Sequence, residues 1–478
     1  MKSLGSSSPV AASPASASPV PEVAAPAPYR SKRSAALVIE GRAAAAGVPF
    51  SAMLEIADRC NEACIHCYQV QGQKGELETE QWERVMRELA ELGVMFLTFS
   101  GGEATLRKDF LHLVAYARRL RFAVRIFTNG LNVDAAMAAE LGRQSVQEVQ
   151  ISLYSHRAEL HDRVTRVPGS FERVVAAAQH LRAASVKVLL KSPLMSLNAP
   201  EYGEYVAFVT SLGCDYTLDP KLNPRENGDP APTALSIDRR SYLALRRDTR
   251  FATPPVRRER SLDAPPCSAC RGNVHVEPNG ELRPCTQWSI PTGHVLAGDL
   301  RDTWYGDATA RRIRGLTWND LPGCRVCDLR PHCQRCFADA ERAVGDALAP
   351  YARACQNALW KYEAELGVQP ELDSPSGLCD SQPVGPFRQA GEHRFIVESV
   401  APLEPAAPGA LLSGPARPSG PPPDPSQPPL SRPTLSQSLV SLRRHAGGPS
   451  LTPPPLRRRG DSAEPDGQVR PRVGTTVA

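Results

Sequence analysis

Ala57-Asp58-Arg59-Cys60-Asn61-Glu62-Ala63-Cys64-Ile65-His66-Cys67-Tyr68 follows directly on an apolar run, residues 50–56, near the start of a 478-residue chain. Three thiolates from so short a loop can hold three irons of a four-iron cluster and leave the fourth without a protein ligand, free to bind and polarise a small molecule. A structural zinc loop is the alternative. Zinc sites are usually built from paired CxxC knuckles that close four ligands, and this loop supplies three with no fourth nearby.

Beyond the loop, short apolar runs alternate with longer amphipathic ones, which is the pattern of repeated βα units and a parallel sheet. Strands are expected at 52–56, 94–99, 123–127, 146–153, 186–191 and 216–218, with helices at 78–92, 107–120, 134–143, 170–183 and 200–212. Trp82, Val85, Leu89 and Leu92 form a helical stripe that reads as core. Six units are too few to close an eight-stranded barrel. Ligands in parallel α/β folds gather at the carboxyl ends of the strands, where Cys60, Cys64 and Cys67 stand.

The CxxxCxxC spacing, with the aromatic His66 just before the last cysteine, resembles the motif of radical S-adenosylmethionine (SAM) enzymes. The resemblance implies an α/β fold, a partial (β/α)6 barrel of TIM type, and a SAM-binding [4Fe-4S] cluster on Cys60, Cys64 and Cys67. Gly101-Gly102-Glu103, after the second strand, resembles the GGE motif that contacts the methionine amino group of SAM; the usual proline after it is Ala104 here. Thr128-Asn129-Gly130, after the third strand, is a polar turn that in relatives lies close to the nucleoside. Ser152, after the fourth, and Arg166 match positions that relatives use for ribose or carboxylate. These residues, with His66, are the expected SAM contacts. Each also has an ordinary reading as a turn or cap residue, and Ser170 is expected to cap the helix that starts beside it. His156 and His161 have no metal-ligand spacing.

A second group of eight cysteines lies between residues 267 and 355, enough to ligate two four-iron clusters fully. The order Cys267-x2-Cys270, Cys285, Cys324-x2-Cys327-x5-Cys333, Cys336 and Cys355 resembles the SPASM extension of radical SAM enzymes that modify peptides and proteins. The resemblance implies a first auxiliary cluster on Cys267, Cys270, Cys285 and Cys336, and a second on Cys324, Cys327, Cys333 and Cys355. Two residues separate Cys333 from Cys336 where the family commonly has three, and this bears on the assignment of Cys336. A pair of zinc ribbons is the alternative for the CxxC pairs. Residues 274–285 read as a hairpin turning at Pro278-Asn279-Gly280. Cys214 is expected inside the barrel and Cys379 in an exposed tail.

Composition divides the chain. Residues 1–45 are rich in Ala, Pro and Ser, and 22 of 46 prolines lie after residue 365, so 1–45 and 366–478 are expected to be disordered. Between them are expected a barrel at 46–235, a linker at 236–262 and the cysteine-rich domain at 263–365. No run of about 20 apolar residues is present, so no membrane span is expected. No export signal is visible either, and thirteen cysteines suit ligands better than disulfides, which points to the cytoplasm. A net charge of +5 gives no case for nucleic acid.

The expected activity is reductive cleavage of SAM to a 5′-deoxyadenosyl radical that takes hydrogen from a peptide or protein, leading to a cross-link or an oxidised residue. A flavodoxin or ferredoxin would supply electrons, and a separate protein would bind the leader peptide. The acidic residue that sulfatase-maturing relatives carry just after the position of Cys285 is Thr286 here, which counts against that activity. A small-molecule substrate, and a non-catalytic iron–sulfur carrier or zinc module, are the competing readings. No general acid or base stands out.

Overall fold

The computed structural model describes residues 35–248, 250 and 261–367. Its centre is one sheet. β1 (Ser51–Ala57), β2 (Phe96–Gly101), β3 (Ala123–Thr128), β4 (Glu148–Ser152), β5 (Val188–Pro193) and β6 (Asp215–Asp219) run parallel, each paired with the next. β7 (Asn273–Val276) pairs in parallel with the free side of β1, and β8 (Leu282–Arg283) folds back antiparallel on β7. The order is therefore β6-β5-β4-β3-β2-β1-β7-β8, with β6 and β8 at the edges of a sheet that does not close. All six expected strands are present. The expected hairpin also forms, but it extends the barrel sheet instead of standing apart from it.

The helices are α1 (Ala35–Ala45), α2 (Thr79–Glu91), α3 (Phe110–Arg119), α4 (Ala135–Arg143), α5 (Ala158–Thr165), α6 (Ser170–Ala183), α7 (Tyr202–Ser211), α8 (Arg239–Arg247), α9 (Leu300–Gly306), α10 (Ala308–Gly315), α11 (Phe337–Val344) and α12 (Ala352–Leu366). α2 shows why they form. Trp82, Val85, Met86 and Leu89 recur at helical spacing and are buried, while the Gln81 side chain accepts from the Glu78 backbone N–H at 2.8 Å and closes the first turn. Truncating Leu89 to alanine would cost about 2–5 kcal/mol. Residues 236–262, expected to be a linker, instead contain α8. It docks on α12 through a two-pronged Arg239–Glu363 pair (2.9 and 2.6 Å) and through Tyr242 against Trp360. Residues 1–34, 249, 251–260 and 368–478, including Cys379, lie outside the described residues.

One expectation near α6 needs correction, and a short helix outside the expected elements, α5, precedes it. Ser170 is the first residue of α6, not its cap. The capping acceptor is Asp162, on α5, which takes hydrogen bonds from the N–H groups of Gly169 (2.6 Å) and Phe171 (2.9 Å) and from the Ser170 hydroxyl (2.8 Å).

The strands alternate with period two. Leu54, Ile56, Leu97, Phe99, Val124, Ile126, Val149, Ile151, Val188, Leu190, Val274 and Val276 join the core between sheet and helices. Their neighbours on the other face are mostly polar, with Met53, Phe127 and Leu189 set among Glu55, Thr98, Ser100, Arg125, Gln150, Ser152, Lys191, His275 and Glu277. A parallel sheet is normally apolar on both faces. This one keeps a largely polar inner face, which suits a chamber for polar ligands. A second core, built on Trp288, Trp318, Leu321, Phe337 and Tyr351, surrounds the later cysteines.

Candidate active site

The cysteine loop leaves β1 at its carboxyl end and is strapped from two sides. On one, the N–H groups of Ala63 and Ile65 donate to the carbonyls of Thr165 (3.2 Å) and Val164 (3.0 Å) at the end of α5. On the other, the N–H groups of Gly102 and Glu103 donate to the carbonyls of Ala57 (2.8 Å) and Arg59 (2.9 Å). The two glycines make that approach possible. A Cβ on Gly101 would stand 2.3 Å from the Ala57 carbonyl oxygen, and one on Gly102 would stand 2.4 Å from that of Arg59. Gly101 also has φ +127°, which a side chain disfavours.

Burial pushes the Cys60 thiol up to about 12, and raises those of Cys64 and Cys67, with Cys67 acting electrostatically on both of the others. The Cys64 Sγ–H donates to Glu62 at 3.0 Å, and its sulfur lies 3.7 Å from the Tyr154 hydroxyl. Three largely buried thiols on one short loop, each raised by burial, fit an iron-bearing group, whose positive charge would draw them into the thiolate form.

Glu103 is 1% exposed and its carboxylate is engaged within the protein. One oxygen accepts from the Thr105 N–H (3.0 Å), the Thr105 hydroxyl (2.6 Å) and the Thr128 hydroxyl (2.8 Å); the other accepts from the Asn129 N–H (2.7 Å). Asn129 in turn donates to Asn61 at 2.6 Å and reaches Cys60 Sγ at 3.8 Å. The expected residues Gly101, Gly102, Glu103, Thr128 and Asn129 thus form one unit with the cysteine loop. His66 packs edge-on to Tyr154 at 4.7 Å, and burial lowers its imidazole to about 4. Ser152 lies on the inner face, in register with Lys191 on β5. Arg166 stands apart: it is exposed, at the end of α5, with a left-handed backbone (φ +61°).

Sequence reasoning missed Asn61, Tyr154 and Lys191. Lys191 Nζ sits 4.0 Å from the Phe127 ring centre, and burial lowers its pKa. Its period-two position in β5 was the available signal.

The later cysteines fall into two sets. Cys324, Cys327, Cys333 and Cys355 line a single cavity of about 550 Å3, counting its open mouth, together with Trp318, Leu329 and Tyr351. Cys267, Cys270, Cys285 and Cys336 act electrostatically on one another, and burial raises all four, Cys267 to about 11 and Cys270 to about 12. Cys336 acts on Cys267, and Cys285 acts on Cys336. Cys214 is buried in the barrel core.

The Radical SAM superfamily model matches residues 54–204. The mycofactocin maturase MftC of Mycobacterium ulcerans is 38% identical over 286 residues, 56% of this chain and 77% of that protein. The PqqA peptide cyclase of Streptomyces rochei is 28% identical over 326 residues, 64% of this chain and 89% of that protein. Among solved structures, anSMEcpe with bound AdoMet and the Cp18Cys peptide superposes with a TM-score of 0.53 at 17% identity, covering 67% of this chain and 97% of that one. Streptococcus suis SuiB bound to the precursor peptide SuiA gives 0.52 at 17% identity, covering 63% and 75%. Those two likenesses show the fold. With the motif on its loop at the end of β1 and a 38% identical relative covered over most of its length, the chain belongs to the radical SAM superfamily of iron–sulfur enzymes.

Proposed function

We propose that this enzyme modifies a peptide or protein and carries two auxiliary [4Fe-4S] clusters besides the one on Cys60, Cys64 and Cys67. The observation that carries the reading is the division of eight cysteines into two sets of four, in a region joined to β1 through β7. The names of the relatives, a peptide cyclase and a maturase, support the substrate class.

When bound, the cluster and SAM supply a 5′-deoxyadenosyl radical by one-electron cleavage of the sulfonium. The chain's own residues do the positioning. Gly101 and Gly102 bring β2 onto the cysteine loop, and Glu103 fixes that corner to the Thr128-Asn129 turn, so the first cluster's ligands are held before anything binds. Ser152 and Arg166 are proposed contacts for ribose or carboxylate. The polar inner face offers donors and acceptors to a peptide backbone, and Lys191 offers it one cation. Cys267, Cys270, Cys285 and Cys336 would hold one auxiliary cluster, and Cys324, Cys327, Cys333 and Cys355 the other; four thiolates each leave no open iron, which suits electron transfer. A flavodoxin or ferredoxin would reduce the enzyme, and a separate protein would present the leader peptide.

The test incubates the anaerobically reconstituted enzyme, SAM and reductant with short peptides encoded beside its gene. A peptide whose mass changes only when SAM is present supports the reading. SAM turnover driven by a small molecule, with every such peptide unchanged, would overturn the substrate class.

A further inference from the structure

A buried group of side chains on the inner face, containing no cysteine though Glu55 acts electrostatically on Cys67, has no role in the proposed function. Glu55 on β1, His275 on β7 and Glu277 just beyond it are each 2% exposed. One oxygen of each carboxylate and one imidazole nitrogen lie within 4.8 Å of one another. Neither ring nitrogen of His275 has a hydrogen-bond partner among the described residues. A buried imidazole left so is costly unless something fills the space between its neighbours.

The distances say what kind of thing. Where histidine meets glutamate elsewhere in this protein the pair closes to 2.7 Å, at His112–Glu83 and at His332–Glu365. His275 Nε2 stays 3.7 Å from Glu55 and 3.5 Å from Glu277, too far for a good hydrogen bond. Two ligands bound at about 2.1 Å to a tetrahedral ion stand about 3.4 Å apart.

The charge balance agrees. Four carboxylates, Glu55, Glu226, Glu277 and Glu281, share two cations. Lys74 pairs with Glu226 (2.6 Å) and Glu277 (2.5 Å); Arg283 pairs with Glu226 (3.4 Å), Glu277 (3.2 Å) and Glu281 (2.9 Å). With His275 neutral, four less two leaves an excess of two negative charges; a proton on His275 would reduce it to one. Burial raises the Glu55 carboxyl to about 7 against the opposing pull of His275 and Lys74, whereas, against burial, His275, Arg283 and Lys74 hold that of Glu277 down to about 2.

From this geometry we infer that Glu55, His275 and Glu277 bind one divalent transition-metal ion. One imidazole and two carboxylates suit Zn2+ or Mn2+ better than Ca2+ or Mg2+, which prefer oxygen alone. The ion ties the hairpin that leads to Cys285 to the strand that leads to Cys60, so it fixes the first auxiliary cysteines relative to the first cluster.

The full chain, with its clusters reconstituted without oxygen, is exposed to excess Zn2+ or Mn2+, passed over chelating resin and analysed for metals, beside His275→Ala and Glu277→Gln. The wild type is expected to keep about one equivalent of the added metal, and either variant at least about fivefold less, with iron unchanged. X-ray absorption at the retained zinc is expected to show nitrogen and oxygen ligands at about 2.0 Å with an imidazole signature. If both variants lose iron through misfolding, that wild-type spectrum decides. Retention below about a tenth of an equivalent, retention undiminished in the variants, or sulfur ligands at about 2.3 Å would overturn the inference; in the first case protons supply the missing charge.

Discussion

At Gly102 a single methyl group separates a formed cluster site from a disrupted one. A Cβ there would stand 2.4 Å from the carbonyl oxygen of Arg59 and 3.2 Å from the Cβ of Cys60, and a backbone carbonyl cannot swing away as the end of a flexible side chain can. Gly102→Ala should therefore lower reconstituted iron by about four per chain while leaving the later cysteines loaded. Retention of full iron would show that the loop yields. Glu103→Gln should be milder. It keeps one accepting oxygen but turns an amide toward either the Asn129 N–H or the donors from Thr105 and Thr128, leaving a buried donor unmet at about 1–3 kcal/mol. A thermal scan of the anaerobic protein should register that loss, and an unchanged midpoint would contradict it. The sequence made these residues legible as a site, because their spacing is distinctive. Their internal role was hidden, because it depends on backbone from β1 and a turn after β3, each tens of residues away.

Among the elements, the junction of α5 and α6 was the least legible. α5 has only eight residues, so its apolar Leu160 and Val164 give little periodic signal, and its acceptor Asp162 caps a different helix. Burial would raise the Asp162 carboxyl, but the hydrogen bonds from Phe171, Ser170 and Gly169 outweigh it and hold it below the ordinary carboxylate range. Asp162→Ala should cost about 1 kcal/mol. A depressed folded pKa gives stability that is fully present above the unfolded value and is lost as pH falls through the folded one. The melting-point gap between wild type and Asp162→Ala should thus be the same at about pH 7 and about pH 5, both above the unfolded aspartate value of about 3.9. A gap that closes by the lower pH would contradict this. β7 was legible as one arm of a hairpin. Its place beside β1 was not, since His275 and Glu277 break the apolar run expected of a strand buried in a parallel sheet.

For the molecule as a whole, the six βα units were legible because each strand and helix carries its own periodicity, whereas α8 was missed within a stretch rich in arginine. The grouping of eight cysteines came from resemblance alone, since chain order does not say which thiols meet. In the structure Cys336 interacts electrostatically with Cys267 and Cys285, and Cys333 lines the cavity with Cys324, Cys327 and Cys355. Cys336→Ala and Cys333→Ala should each lower iron by about four per chain, and the double variant by about eight, leaving the first cluster. Non-additive loss would place both thiols on one cluster. The central claim is radical cleavage of SAM at the loop following β1. Its most direct test is 5′-deoxyadenosine formed from SAM with a strong reductant, by anaerobically reconstituted wild type and by the Cys60→Ala/Cys64→Ala/Cys67→Ala variant. Product from the wild type alone is predicted; equal product from both, or none from a wild type whose first cluster is intact, would contradict the account.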